Sequence, residues 1–112
     1  MNQTKYTQWI KDSFVPFLRT QFTNGQPMTS GSVRIALQQP FESDVQNVRH
    51  QYARATDSHW GLTDFTDRVL RALKAAERLG YLKSFTARRD TVKHWRGGER
   101  ARTHLAFYFN VK

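Results

Sequence analysis

The 112-residue chain contains no cysteine, which excludes disulfide staples, thiolate zinc sites and cysteine nucleophiles. Nowhere do 18 apolar residues follow one another, and the stretch MNQTKYTQWIKDSF lacks the apolar run of a signal segment. The expectation is a soluble, cytoplasmic protein that does not engage a membrane. Prolines number three, no internal repeat is visible, and no Ser-, Gly- or Pro-rich tract is long enough to separate two domains. A single domain follows, large enough to bury one core unaided. Walker loops, G-x-S-x-G elbows and H-E-x-x-H helices are also missing. His50, His59, His94 and His104 remain as the only histidines. The expectation is therefore a protein that is not an enzyme and that uses no cofactor, metal or small-molecule substrate.

Acidic side chains are scarce. The chain has 18 Lys and Arg against 9 Asp and Glu, a formal net charge of +9 and a pI near 10.5. Neutralising each phosphate of a polyanion releases counterions, so a small protein this basic points to nucleic acid as its partner. The excess is not spread evenly. Residues 83–112 hold 8 basic and 2 acidic residues, a net of +6, and residues 1–82 hold 10 and 7, a net of +3.

Periodicity divides the rest. Tyr6, Trp9, Ile10, Phe14, Phe17, Leu18 and Phe22 recur at spacings of three and four, predicting a helix over 4–22 that Pro16 should bend. Its stripe of Trp9, Phe14, Phe17 and Phe22 has two readings, as monomer core or as the interface of a homodimer. A short second helix begins at Thr29 or Ser30, carries Val33, Ile35, Ala36 and Leu37 as its apolar face, and stops at Pro40. A third is expected from Ser43, its N-cap, to about 57, with Val45, Val48, Tyr52 and Ala55 inward and Gln46, Asn47, Arg49, His50 and Arg54 outward. The fourth, over 63–79, takes Thr63 as N-cap, Asp64 and Asp67 in its first turn, Phe65, Val69, Leu73 and Ala76 inward, and Gly80 as its stop.

Beyond Gly80 the pattern becomes extended. Thr103, Leu105, Phe107, Phe109 and Val111 alternate with His104, Ala106, Tyr108 and Asn110, predicting a strand over 101–111. Val92 to Trp95 is the expected partner, with Gly97 and Gly98 as a two-residue turn in KHWRGGERAR. That register sets Lys93 opposite Arg102 and Arg96 opposite Glu99. The first strand would run back to Tyr81, with a bulge or kink near Ala87 to Asp90. The fold class is thus α+β, mainly α: three to four helices and a C-terminal β-hairpin. The parts are an N-terminal helix in 1–28, a helical core in 29–80 and the hairpin in 81–112.

The run DRVLRALKAAERLGYLKSF leading into a basic hairpin resembles the recognition helix and wing of winged helix-turn-helix DNA-binding proteins, over about residues 29–112. The resemblance implies binding of double-stranded DNA by a small transcriptional regulator or accessory factor of bacterial, phage or plasmid type, nucleoid-associated if bacterial. One helix would enter the major groove, with the wing on backbone or minor groove. The wing residues are Arg96, Arg100, Arg102, Lys93, Arg88 and Arg89, and Gly97 and Gly98 let its backbone approach a phosphate strand. The family's pattern allows only a turn where this chain has the expected helix at 43–57. Either that helix is an insertion and Thr63, Thr66, Arg68 and Arg71 of the helix at 63–79 read the groove, or the readers are Gln46, Asn47, Arg49, His50 and Arg54. Winged helices also bind RNA or acidic proteins, and Trp95, Phe107 and Tyr108 suggest stacking platforms for RNA, against which the alternation assigns Phe107 to the core face.

Overall fold

The computed structural model describes residues 3–39, 42–58, 60–88, 92–93, 99–100 and 103–109, with the backbone alone at 87–88, 92–93, 99–100 and 103–104. Its first helical run comprises α1 (Gln3–Trp9), a π-helical turn (Ile10–Phe14) and α2 (Val15–Gln21). The π turn is the answer to Pro16. In a regular helix the proline ring would press on the Asp12 carbonyl and leave it without a donor. Here the Val15 N–H bonds back to the Ile10 carbonyl, the helix widens by one residue, and Pro16 falls in the first turn of α2, where a missing N–H is harmless.

Trp9, Phe14, Phe17 and Phe22 are all buried in the chain's own core. Trp9 stacks on Phe14 at 5.1 Å and meets Tyr52 edge-on at 5.0 Å, and its Nε1 donates to the Val48 carbonyl. The core reading of this stripe holds. The dimer expectation loses its basis, because these rings are already covered.

After a turn in which Gly25 adopts φ +81°, Met28 forms a one-residue antiparallel bridge with Phe107, each N–H donating to the other's carbonyl. Thr29 then caps α3 (Ser30–Ala36) through a reciprocal capping box with Ser32. Val33 and Leu37 are buried, but Ile35 is 65% exposed. Two residues of helix rotate a side chain about 200°, so Ile35 cannot share the face of Val33. Next, α4 (Ser43–Thr56) buries Val45, Val48, Tyr52 and Ala55 as the spacing predicts. Ser43 is its first helical residue and not its cap; the preceding Glu42 makes no side-chain cap bond.

The fourth predicted helix begins three residues late. α5 (Thr66–Arg78) is preceded by a separate turn in which the Gly61 N–H donates to Asp64 Oδ2 at 2.6 Å, with Leu62 and Thr63 buried. That turn displaces Phe65 from the core face; it is 49% exposed. Val69, Ala72, Leu73, Ala75 and Ala76 form the buried side. Gly80, at φ +91°, ends the helix as expected: its N–H bonds to the Glu77 carbonyl and that of Tyr81 to the Ala76 carbonyl, a full Schellman arrangement.

The hairpin's main ladder pairs β1 (Leu82–Arg88) with β4 (Thr103–Phe109), from Leu82 opposite Phe109 to Arg88 opposite Thr103. A shorter ladder pairs β2 (Val92–Lys93) with β3 (Glu99–Arg100). The overall architecture is therefore α+β, mainly α, with a C-terminal β-hairpin. The first strand runs back to Leu82 as expected and pairs 82–88 with 103–109, but the register at the tip is corrected: Lys93 lies opposite Glu99 and not Arg102. A two-residue Gly97-Gly98 turn needs Arg96 at that position, whereas the observed pair encloses all of 94–98, which lie outside the described residues. Three residues separate Arg88 from Val92 and two separate Arg100 from Thr103, so the first strand holds one more than the second between the ladders. The alternation along β4 explains its root: Phe107 and Phe109 are fully buried among the helices with Leu82. Phe107 is thus removed from any stacking platform. Tyr108 is half-buried on the other face, 5.9 Å from the Phe85 ring.

Candidate nucleic-acid interface

Two helices carry the expected reading side chains, and the fold gives them different neighbours. The contacts of α4 run to α1, the π turn and α2. Those of α5 run to α3, the π turn and β1, and the chain passes from α5 through Gly80 directly into the hairpin. The structure therefore joins α5, α3 and the hairpin root, and packs α4 chiefly on the first helical run.

On α4, Asn47, His50 and Arg54 are exposed and Gln46 and Arg49 half-buried. Arg54 belongs to a groove of about 280 Å3 between α1 and α4 that also contains Lys5, Gln8 and Asp12. On α5 the predicted residues separate by role. Thr63 is buried, and its carbonyl accepts a 2.8 Å bond from Arg34 Nε of α3, so it ties α3 to the turn before α5. Thr66 is exposed, with Oγ1 accepting from Arg34 Nη1 at 3.1 Å. Arg68 turns toward the protein: its Nη1 donates to the Trp60 carbonyl and Ser58 Oγ, and its guanidinium lies 5.6 Å from the Phe65 ring centre. Arg71 is exposed.

Sequence reasoning missed Lys74 and Arg78. Both are exposed, and with Asp67 and Arg71 they recur at i, i+4, i+7 and i+11, a continuous stripe along the solvent side of α5. The signal was present in the same periodicity that located Val69, Leu73 and Ala76, read from the opposite face. Three cations and one carboxylate give this stripe a net charge of +2. Arg78 also stands near the helix C-terminus, where a cation complements the dipole.

Of the hairpin candidates, Arg88, Lys93 and Arg100 lie on strands β1, β2 and β3. Arg89, Arg96, Gly97, Gly98 and Arg102 lie outside the described residues. Among the described residues, no helix is long and apolar enough to cross a membrane. Comparison with known proteins returns no matching family model, no matching curated protein and no matching solved structure.

Proposed function

We propose that this chain binds double-stranded DNA as a winged-helix module, with α5 in the major groove and the hairpin as the wing, acting without catalysis as a regulator or accessory factor. The observation that carries this reading is the exposed Arg71, Lys74 and Arg78 stripe on the helix that leads into the hairpin. The element order supports it: a first helical run, a bridging residue at Met28 on the last strand, α3, then α5 and the hairpin, with α4 as an insertion braced on α1. Arg34 fastens α3 to the start of α5 through the Thr63 carbonyl and Thr66. Such a brace holds a recognition helix at a fixed angle to the helix before it.

The chemistry is electrostatic positioning followed by readout. Arg71, Lys74 and Arg78 meet phosphates or the acceptor-rich edges of guanine, and Asp67 suits the cytosine amino group while discouraging phosphate. The hairpin's cations then hold the flanking backbone.

Fluorescence anisotropy with a random duplex across a salt series tests this directly. The wild type should bind with a steep salt dependence. Lys74→Ala/Arg78→Ala and Arg96→Ala/Arg100→Ala should each lower the slope of log affinity against log salt by about 1.8, two lost phosphate contacts. Absence of duplex binding at low salt overturns the reading. Preference for an RNA hairpin over the duplex replaces DNA with RNA, and binding to neither leaves an acidic protein as the partner.

A further inference from the structure

Between α1, the end of α4 and the first turns of α5 lies a cleft of about 390 Å3, within the roughly 300–1,000 Å3 of small-molecule sites. The chain leaves α4 through Asp57, whose φ of 49° turns the backbone left-handed, and Ser58 and Trp60 beyond it reach the rim. Tyr6 and Tyr52, only 8% and 5% exposed, line the cleft together with Ser58, Trp60, Arg68 and Arg71. Both phenols thus belong to the wall of the cleft. Burial raises the Tyr6 phenol to about 12, with the neighbouring Tyr52 adding to the shift, so it stays a donor at every physiological pH.

The rim supplies the complementary features. Trp60 is 55% exposed, an uncommon position for so large a ring, and Phe65 braces it edge-on at 5.4 Å. Arg68 is already held by the Trp60 carbonyl, but Arg71 makes no hydrogen bond among the described residues. An aromatic platform, two phenols and the Arg71 guanidinium, which this cleft shares with the exposed stripe of α5, together ask for a ligand with a flat heteroatom-bearing ring and an anion. Inorganic phosphate would leave the platform bare, and a hydrocarbon would leave the hydroxyls unpaired.

We propose that this cleft binds a nucleotide unit, the base stacked on Trp60 and the phosphate held by Arg71, with the Tyr6 and Tyr52 hydroxyls meeting the ligand's polar edge. A base paired within a duplex cannot enter it, so the site goes beyond the duplex reading and does not depend on Lys74 or Arg78. The unit is either a free mononucleotide or an unpaired nucleotide of a strand.

Calorimetric titration of the whole chain with AMP, adenosine and inorganic phosphate tests the first source. Anisotropy with a paired duplex and the same duplex carrying one bulged adenine tests the second. Binding of AMP at least about tenfold tighter than adenosine or phosphate, weakened about tenfold by Trp60→Ala and by Arg71→Ala, establishes a free-nucleotide site. A bulge preference of about tenfold that disappears in Trp60→Ala, with no AMP binding, establishes the strand-borne unit. Trp60 and Arg71 are exposed, so both variants should keep the wild-type melting temperature, which separates lost binding from lost folding. No AMP binding and equal affinity for bulged and paired duplex overturns the site. Duplex affinity that still depends on Lys74 and Arg78 in that event leaves the DNA reading intact.

Discussion

The helices α4 and α5 are of nearly equal length, both amphipathic, and both carry polar and basic side chains on their outer faces. They differ in what they stand on. α4 rests on the first helical run through Val48, Tyr52 and the Trp9 indole bond, and its main contacts do not include the hairpin. α5 is fixed by α3, the π turn and β1, and its buried side is mostly small: Ala72, Ala75 and Ala76 beside Val69 and Leu73. Small residues let neighbouring backbones approach closely, so the orientation of α5 is set by its surroundings more tightly than that of a helix held by long side chains. Composition alone could not choose between the two as a recognition helix. Neighbours distinguish them, and the proposed reading takes α5 because a groove-reading helix needs a brace behind it and a second basic element beside it.

The largest effect expected from breaking this comparison is on the hairpin's attachment. Phe107 is fully buried and carries the bridge to Met28. Phe107→Ala should cost about 3–5 kcal/mol in urea unfolding, against about 1.5–3 kcal/mol for Val48→Ala under α4. A Phe107→Ala loss below about 1 kcal/mol would mean that the hairpin is an appendage and not part of the common core.

The next effect is on binding. Lys74→Ala/Arg78→Ala on α5 should weaken duplex affinity and flatten its salt dependence, and His50→Ala/Arg54→Ala on α4 should leave both within about twofold at matched salt. The opposite result would make α4 the reader and α5 its support. Melting curves of both pairs should match the wild type, since all four side chains are exposed.

How much of this was legible in the sequence depends on the kind of signal. Helices were found wherever apolar residues recur at three and four, and Gly80 ended α5 as its position predicts. What failed was local chemistry that competes with periodicity. Asp64 diverts its side chain to the Gly61 N–H, which turns the expected N-cap Thr63 into a buried anchor and puts Phe65 outside. Pro16 was read as a bend because the π turn that absorbs it is a tertiary accommodation. The two glycines drew the hairpin centre toward themselves, yet the observed Lys93–Glu99 pair is set by ladders rooted in Phe107 and Phe109. For the candidate site, side chains able to contact nucleic acid are legible by type, but the stripe through Lys74 and Arg78 requires knowing which face is free. The cleft beside Tyr6 was not legible at all: it unites residues from α1, α4 and α5 that no spacing connects.

Tyr6 also links the two halves of the comparison, since it stands in the first helical run and feels Arg71 and Arg78 of α5. Burial favours its neutral form, so the folded chain retains that proton up to about 12, whereas the unfolded chain loses it near the ordinary phenol value of 10.0. The associated stability is complete below pH 10 and declines as pH rises toward 12. Between those limits the wild type should lose up to about 2–3 kcal/mol more than Tyr6→Phe, which has no phenol to titrate. Parallel curves for the two proteins would show that Tyr6 is solvated in the folded state.

The smallest expected effect concerns how α3 and α4 begin. Thr29 accepts a hydrogen bond from the Ser32 N–H at 3.1 Å, and Ser32 Oγ accepts one from the Thr29 N–H at 2.9 Å. Thr29→Ala removes one of these bonds and frees Ser32 from the reciprocal pair, a loss of about 1 kcal/mol. Ser43 opens α4 from within the helix and caps nothing, so Ser43→Ala should be neutral or slightly stabilising, alanine being the better helix former. Because α3 holds Arg34 against the start of α5, Thr29→Ala should also lower duplex affinity modestly while leaving the salt slope unchanged, no phosphate contact having been lost. A lower slope in that variant would instead place Thr29 itself on the DNA.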